Sequence, residues 1–193
     1  DDEANLLITD INFVPGVGLV PSIEYRHSRL TMSGIALSIN SGNYIWKAEA
    51  ANFWGMEFNN VKEKKYTTTE FLFGTEFSGW SETSISIESG LKHLNDFDSR
   101  LEAEPDYQLE DRIATTINFM QDYYNQTLHL QILGTMIGEW GDDGGLNRVS
   151  LEYDAVDAFS VKGGIMIYQP GDILYFQSLN DNDRIFLEAR YSF

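Results

Sequence analysis

Ionisable residues recur at every second position along much of this chain. Lys47 and Glu49, Glu70 and Glu76, Glu88 and Lys92, Arg112, Glu139, Arg148 and Glu152, Lys162, and Glu188 and Arg190 each stand opposite a run of apolar residues of the other parity. The set is nearly balanced, with seven glutamates against six cations. Such a pattern suits ladders of paired charge across neighbouring strands, which satisfy ionisable groups on a water-poor wall. It equally suits rings of charge that set the selectivity of a polar pore. A ring dominated by one sign would favour the pore.

Other chemistry has less support. Ser84 and Ser86 fall mid-strand, the histidines His27, His93 and His129 are scattered, and no Ser, His and acid gather at one rim, so no catalytic site is expected. Cysteine is absent, which excludes disulfides, thiol catalysis and thiolate-bound metal. Asp142 and Asp143, with Asp181 and Asp183, lie in oxygen-rich loops and are the candidate Ca²⁺ ligands; neither loop has the spacing of an EF-hand, and such runs are more often solvated turns. No other cofactor is expected.

These residues need strands to position them. Alternating segments run over residues 30–39, 44–54, 68–77, 83–91, 112–120, 127–140, 147–153, 159–168 and 184–193, and are read as nine strands. The connections alternate in length. Short turns at 41–43, 78–81, 123–126 and 154–158 interleave with longer polar loops at 55–66, 93–110 and 169–183, and with a brief one at 141–145. Strands of roughly nine to eleven residues cross a bilayer at a tilt, and outer-membrane barrels have short turns at one rim and long loops at the other. Residues 6–14 are the one candidate for an earlier strand, and 15–29, broken by Pro15-Gly16 and Pro21, are its expected loop.

Composition sets further bounds. The formal charge of −17 at pH 7 excludes a basic nucleic-acid-binding face. Seven of the thirty acidic residues belong to the charged set above, so the excess must lie in loops. Glu102, Glu104, Asp106, Asp142, Asp143, Asp181 and Asp183 are therefore expected at the long-loop rim, where divalent ions could bridge them to lipopolysaccharide phosphates. No run of apolar residues is long enough for a transmembrane helix.

Two resemblances follow from the residues. Ile185, Leu187, Ala189, Tyr191 and Phe193 share one face of the last strand, with an aromatic at the final position and another third from the end; this resembles the C-terminal assembly signal of bacterial outer-membrane barrels. The stretches 21–29, 47–50, 74–79, 93–98, 141–145, 151–154 and 180–184, taken together, resemble the C-terminal part of a family of Gram-negative outer-membrane proteins. That family is known as a domain of unknown function, is often encoded beside RND-type exporters and is distantly similar to alginate-export barrels. The resemblance implies no catalytic residues. It implies outer-membrane lipid and lipopolysaccharide, the barrel assembly machinery and an RND-type exporter as partners. Members are much longer than this chain, so these residues are expected to be the C-terminal portion of a larger barrel.

The expectation is thus one all-β domain over 1–193, an antiparallel up-and-down transmembrane β-barrel of about nine or ten strands here, with 1–29 as N-terminal strand and external loop and 30–193 as a meander of hairpins. Its expected function is that of a porin-like or export-associated channel in the outer membrane, passing small or hydrophobic, lipid-like molecules. A non-conducting structural or adhesive barrel is the alternative. A soluble ligand-binding barrel would instead need Phe71, Phe73, Ile113, Ile117, Leu130 and Ile132 facing inward. A portion of a larger barrel should leave 184–193 with an open outer edge, whereas pairing of 6–14 with 184–193 would mean a self-contained one.

Overall fold

The computed structural model describes residues 5–26, 29–179 and 181–192, so His27 and Phe193 lie outside the described residues. Every segment of period-two alternation is a strand. They are β1 Asn5–Val14, β2 Gly18–Arg26, β3 Thr31–Ser41, β4 Tyr44–Met56, β5 Tyr66–Phe77, β6 Thr83–Asn95, β7 Asp111–Tyr123, β8 Leu128–Ile137, β9 Gly144–Val156, β10 Phe159–Gln169 and β11 Arg184–Tyr191. With 66% of the chain in strands and 4% in helices, the class is all-β and antiparallel.

The sheet order is the chain order. Strands β3 to β11 form one nine-stranded meander, and β1 pairs with β2 in a separate two-stranded sheet. The outermost strands of the meander are β3 and β11, and among the described residues they do not pair with each other, nor β11 with β1. No closed barrel is formed, and among the described residues β11 has the open outer edge expected of a portion of a larger barrel. Parity gives the reason: the first and ninth strands of a meander run the same way, so joining them directly would require a parallel seam, which antiparallel barrels avoid.

Three local expectations are corrected. Residues 18–26 are a strand, not a loop: Gly16 supplies the positive φ of the 15–17 turn, and Pro21 is tolerated because β2 has a partner on one side only. Residues 169–183 are not wholly irregular, since α1 spans Leu174–Leu179. Glu139 is not on a strand face. Strand β8 ends at Ile137, where Gly138 turns at φ +87, and Glu139 follows in the connection.

The chain folds as two compact units. One comprises the described residues of 1–35 with 50–70 and 92–111; the other comprises 36–49, 71–91 and 112–193. Buried apolar side chains belong to the first. Phe58, Val61, Tyr66, Leu94 and Leu101 form a small core flanked by Met56 and Phe97. The long loops 57–65 and 96–110, expected to be solvated, are thus folded around it.

Hydrogen bonds complete that first unit. The Asp106 carboxylate accepts from the backbone N–H groups of Asn59 at 3.0 Å and Asn60 at 2.6 Å, and the Asn60 amide donates to the carbonyls of Arg100 and Ala103. Ile8 on β1 donates to Asn59 Oδ1, and its carbonyl accepts from Lys62, so loop side chains occupy the outer edge of β1 there.

Candidate functional site: the polar face and its turn-end recess

In the second unit the register sorts side chains cleanly by face, because opposite partners in an antiparallel ladder lie on the same side. One transverse row reads Phe119, Ile132, Val149, Ile165 and Ile185 across β7 to β11. On the opposite face a row reads Asp122, His129, Glu152, Lys162 and Glu188. In that row the Asp122 side chain is 34% exposed, His129 35%, Glu152 28% and Lys162 25%, while Glu188 on the edge strand is exposed. In the apolar row Ile132 and Ile165 are each 42% exposed, Val149 is 36% and Ile185 on the edge strand 85%, while Phe119 is half-buried. Across β8 to β10 the apolar residues are therefore more exposed than the charged ones on the opposite face. Phe71, Phe73 and Ile117 are exposed too.

Charges on the polar face are paired across strands. Lys162 Nζ lies 3.3 Å from Glu152, whose other oxygen accepts from Ser160 Oγ at 3.1 Å. His129 lies between two carboxylates, with Nδ1 2.7 Å from Asp122 on β7 and Nε2 3.1 Å from Asp154 on β9. Lys47 on β4 reaches Glu88 on β6 at 3.0 Å, and Glu76 at 4.0 Å.

That last bridge skips a strand, and glycine makes room for it. Gly74 on β5 leaves the space over which Glu88 lies: a Cβ there would come 2.8 Å from Glu88 Cγ. The device is repeated. The Phe186 ring on β11 lies over Gly164 on β10, where a Cβ would come 2.6 Å from it, and meets the Arg148 guanidinium of β9 at 4.8 Å from the ring centroid. Glu49, Glu70, Lys92 and Arg112 occupy β4, β5, β6 and β7.

At the short-turn end of this unit the polar face opens into a recess of about 650 Å³, lined in part by Glu152, Asp154, Asp157, Ser160 and Arg190. The β7–β8 turn on its rim is held by left-handed φ values at Tyr124, Asn125 and Gln126.

The four loop aspartates are not brought together as a metal site. Asp142 and Asp143 belong to the β8–β9 connection, whereas Asp181 and Asp183 belong to the β10–β11 connection, and Asp183 Oδ1 accepts the Tyr168 N–H at 2.8 Å. Among the described residues no group of three His, Asp or Glu is arranged to hold a metal ion. Burial, and then the Asp142 charge, raises the Asp143 carboxyl above its ordinary range.

In the first unit the loop carboxylates act as clasps. The Arg100 side chain, and then its backbone N–H, hold the Asp98 carboxyl down at about 2; the same guanidinium lies 2.8 Å from Glu63. Glu63 is lowered first by its own backbone N–H and then by Arg100. A depressed carboxylate stabilises the fold above its unfolded value, here 3.8, and loses that contribution as pH falls through about 2. A ¹³C titration of the Asp98 carboxyl should therefore give a midpoint near 2, rising toward the ordinary range in Arg100→Gln, which keeps only the backbone N–H; an unchanged midpoint would rule out the clasp.

Sequence reading singled out the charged face but missed its partners. Asp122, Asp154, Gly74 and Gly164 acquire meaning only through register, although aspartates flanking a short turn on either side of His129 were a usable signal. No helix among the described residues is long and apolar enough to cross a membrane, which bears on helices alone. No family model, curated protein or solved structure matches this chain.

Proposed function

We propose that this chain forms part of the wall of an outer-membrane β-barrel, with its apolar face toward lipid and its charged face toward a lumen that passes small or hydrophobic molecules. One observation carries the reading: across β8, β9 and β10 the apolar residues Ile132, Val149 and Ile165 are more exposed than the charged residues His129, Glu152 and Lys162 on the opposite face, the reverse of a water-soluble sheet. Contiguous exposed apolar surface of that kind calls for a covering, and lipid covers it without requiring polar partners. Closure would be completed by further strands on the open edges of β3 and β11. By resemblance, export beside an RND-type pump is the context proposed for it.

A second reading is a wall without a usable pore, acting as a scaffold. It is favoured by the pairing of Lys47 with Glu88 and of Lys162 with Glu152, which neutralises the face that a selective pore would leave charged. Refolding into lipid vesicles, followed by planar-bilayer recording, separates the two. Insertion with discrete conductance steps supports the channel, and insertion without steps at high protein load, once strands pairing the β3 and β11 edges are supplied, supports the scaffold. A chain that remains in the aqueous phase, fully folded, would overturn both.

A further inference from the structure

The turn-end recess is an unassigned cavity of a size that suits a small organic molecule, since its volume of about 650 Å³ falls within the usual range for ligand sites. Its lining sets the charge of what would fit. Glu152, Asp154 and Asp157 contribute three carboxylates and Arg190 one guanidinium; Lys162 pairs with Glu152 and His129 with Asp154, while Asp157 makes no ion pair among the described residues.

Two of those carboxylates are already aimed. Glu152 is fixed by Ser160 at 3.1 Å and Lys162 at 3.3 Å, and Asp154 by His129 at 3.1 Å, each leaving acceptor capacity for a further donor. A bare metal ion fits less well. The cavity far exceeds one ion, and both ring nitrogens of His129 already face carboxylates, so the imidazole has none to give. Several directional acceptors spread over a wide recess match a molecule with several N–H donors.

We propose that the recess binds a small organic cation carrying ammonium groups along a flexible chain, of the polyamine class. The proposal rests on the lumen reading of the polar face, which places this site at one mouth of the pore and gives the passing molecule a chemical class. Arg190 acts against such a ligand and favours its departure, which conduction requires.

The test is calorimetric titration of spermidine into the full chain refolded in detergent micelles, with circular dichroism confirming the fold of each variant. The expected result is saturable one-to-one binding, weakened about tenfold in Asp154→Asn with Asp157→Asn, since each removes a charge-assisted hydrogen bond. Asp157→Asn alone, a change on an exposed turn, should weaken it severalfold, Arg190→Gln should tighten it, and Glu104→Gln, a charge change in the other unit, should leave it unchanged. Absence of saturable binding, weakening by Arg190→Gln, or equal weakening by Glu104→Gln would overturn the proposal, the last by reducing it to diffuse charge attraction. The bilayer recording fails independently. Binding without conductance counts against the pore and for the recess, and conductance without binding counts against the recess.

Discussion

Leu101→Ala should lower the stability of the first unit by about 2–5 kcal/mol, the cost of deleting a fully enclosed leucine whose neighbours cannot collapse into the space. Leu101 is 0% exposed and packs with Phe58, Val61, Tyr66 and Leu94, a core small enough that one side chain is a large fraction of it. The surrounding clasps restrict relaxation, because Asp106 ties residues 59 and 60 to the loop that carries Leu101. Amide hydrogen exchange resolves the effect by region. Protection should fall over 57–65 and 96–110 and persist over 144–169, because the second unit shares none of the five core residues. A loss below about 0.5 kcal/mol would show the loops to be surface decoration rather than a folded body.

Ile165→Arg should destabilise the chain in a bilayer by about 2–4 kcal/mol, the cost of a cation near the midplane of a lipid-facing strand. Ile165 lies in the middle of an apolar row with Val149 and Ile185 as its direct partners, and Asp183, the acidic residue beside it just before β11, already accepts the Tyr168 N–H. Gln131→Arg supplies the matched control. Gln131 is on the opposite face, opposite Ser150 and bonded to Asn118 at 3.0 Å, and its replacement should cost no more than about 1 kcal/mol. Urea titration of both variants in lipid vesicles measures the difference. Equal costs would mean that the two faces do not meet different media, and the lipid assignment would fall with them.

Which parts of this molecule were legible from sequence follows from the range over which each signal acts. Period-two alternation is a local property, and it located all nine strands of the meander, with ends displaced by a few residues where alternation continues into a loop, as at Leu94 in β6. Residues 18–26 were lost because Pro21 reads as a breaker until the strand is known to have a free side. The loop core was invisible for a different reason. Phe58, Val61 and Leu101 are isolated apolar residues in polar surroundings, separated by some forty positions, and no periodicity connects them. The same limit applied to the candidate site. Alternation assigns His129 to a face, but only the register set by the Tyr124–Gln126 turn brings Asp122 opposite it, and only the next hairpin brings Asp154. Glu139 shows the reverse error, in which a strand pattern was extended past Gly138 because glycine has no side chain to break parity.

A sheet held by adjacent ladders alone behaves as a one-dimensional chain, in which the last strand can fray without disturbing the third. The contact of Phe186 with Arg148 across Gly164 breaks that independence, as does the Lys47–Glu88 bridge across Gly74. Detaching β11 must also break a contact made by β9, so fraying of the edge costs more than the β10–β11 ladder alone. The open edge is thereby tethered to the sheet interior, and the strand most available for mispairing is restrained by a neighbour it never hydrogen-bonds.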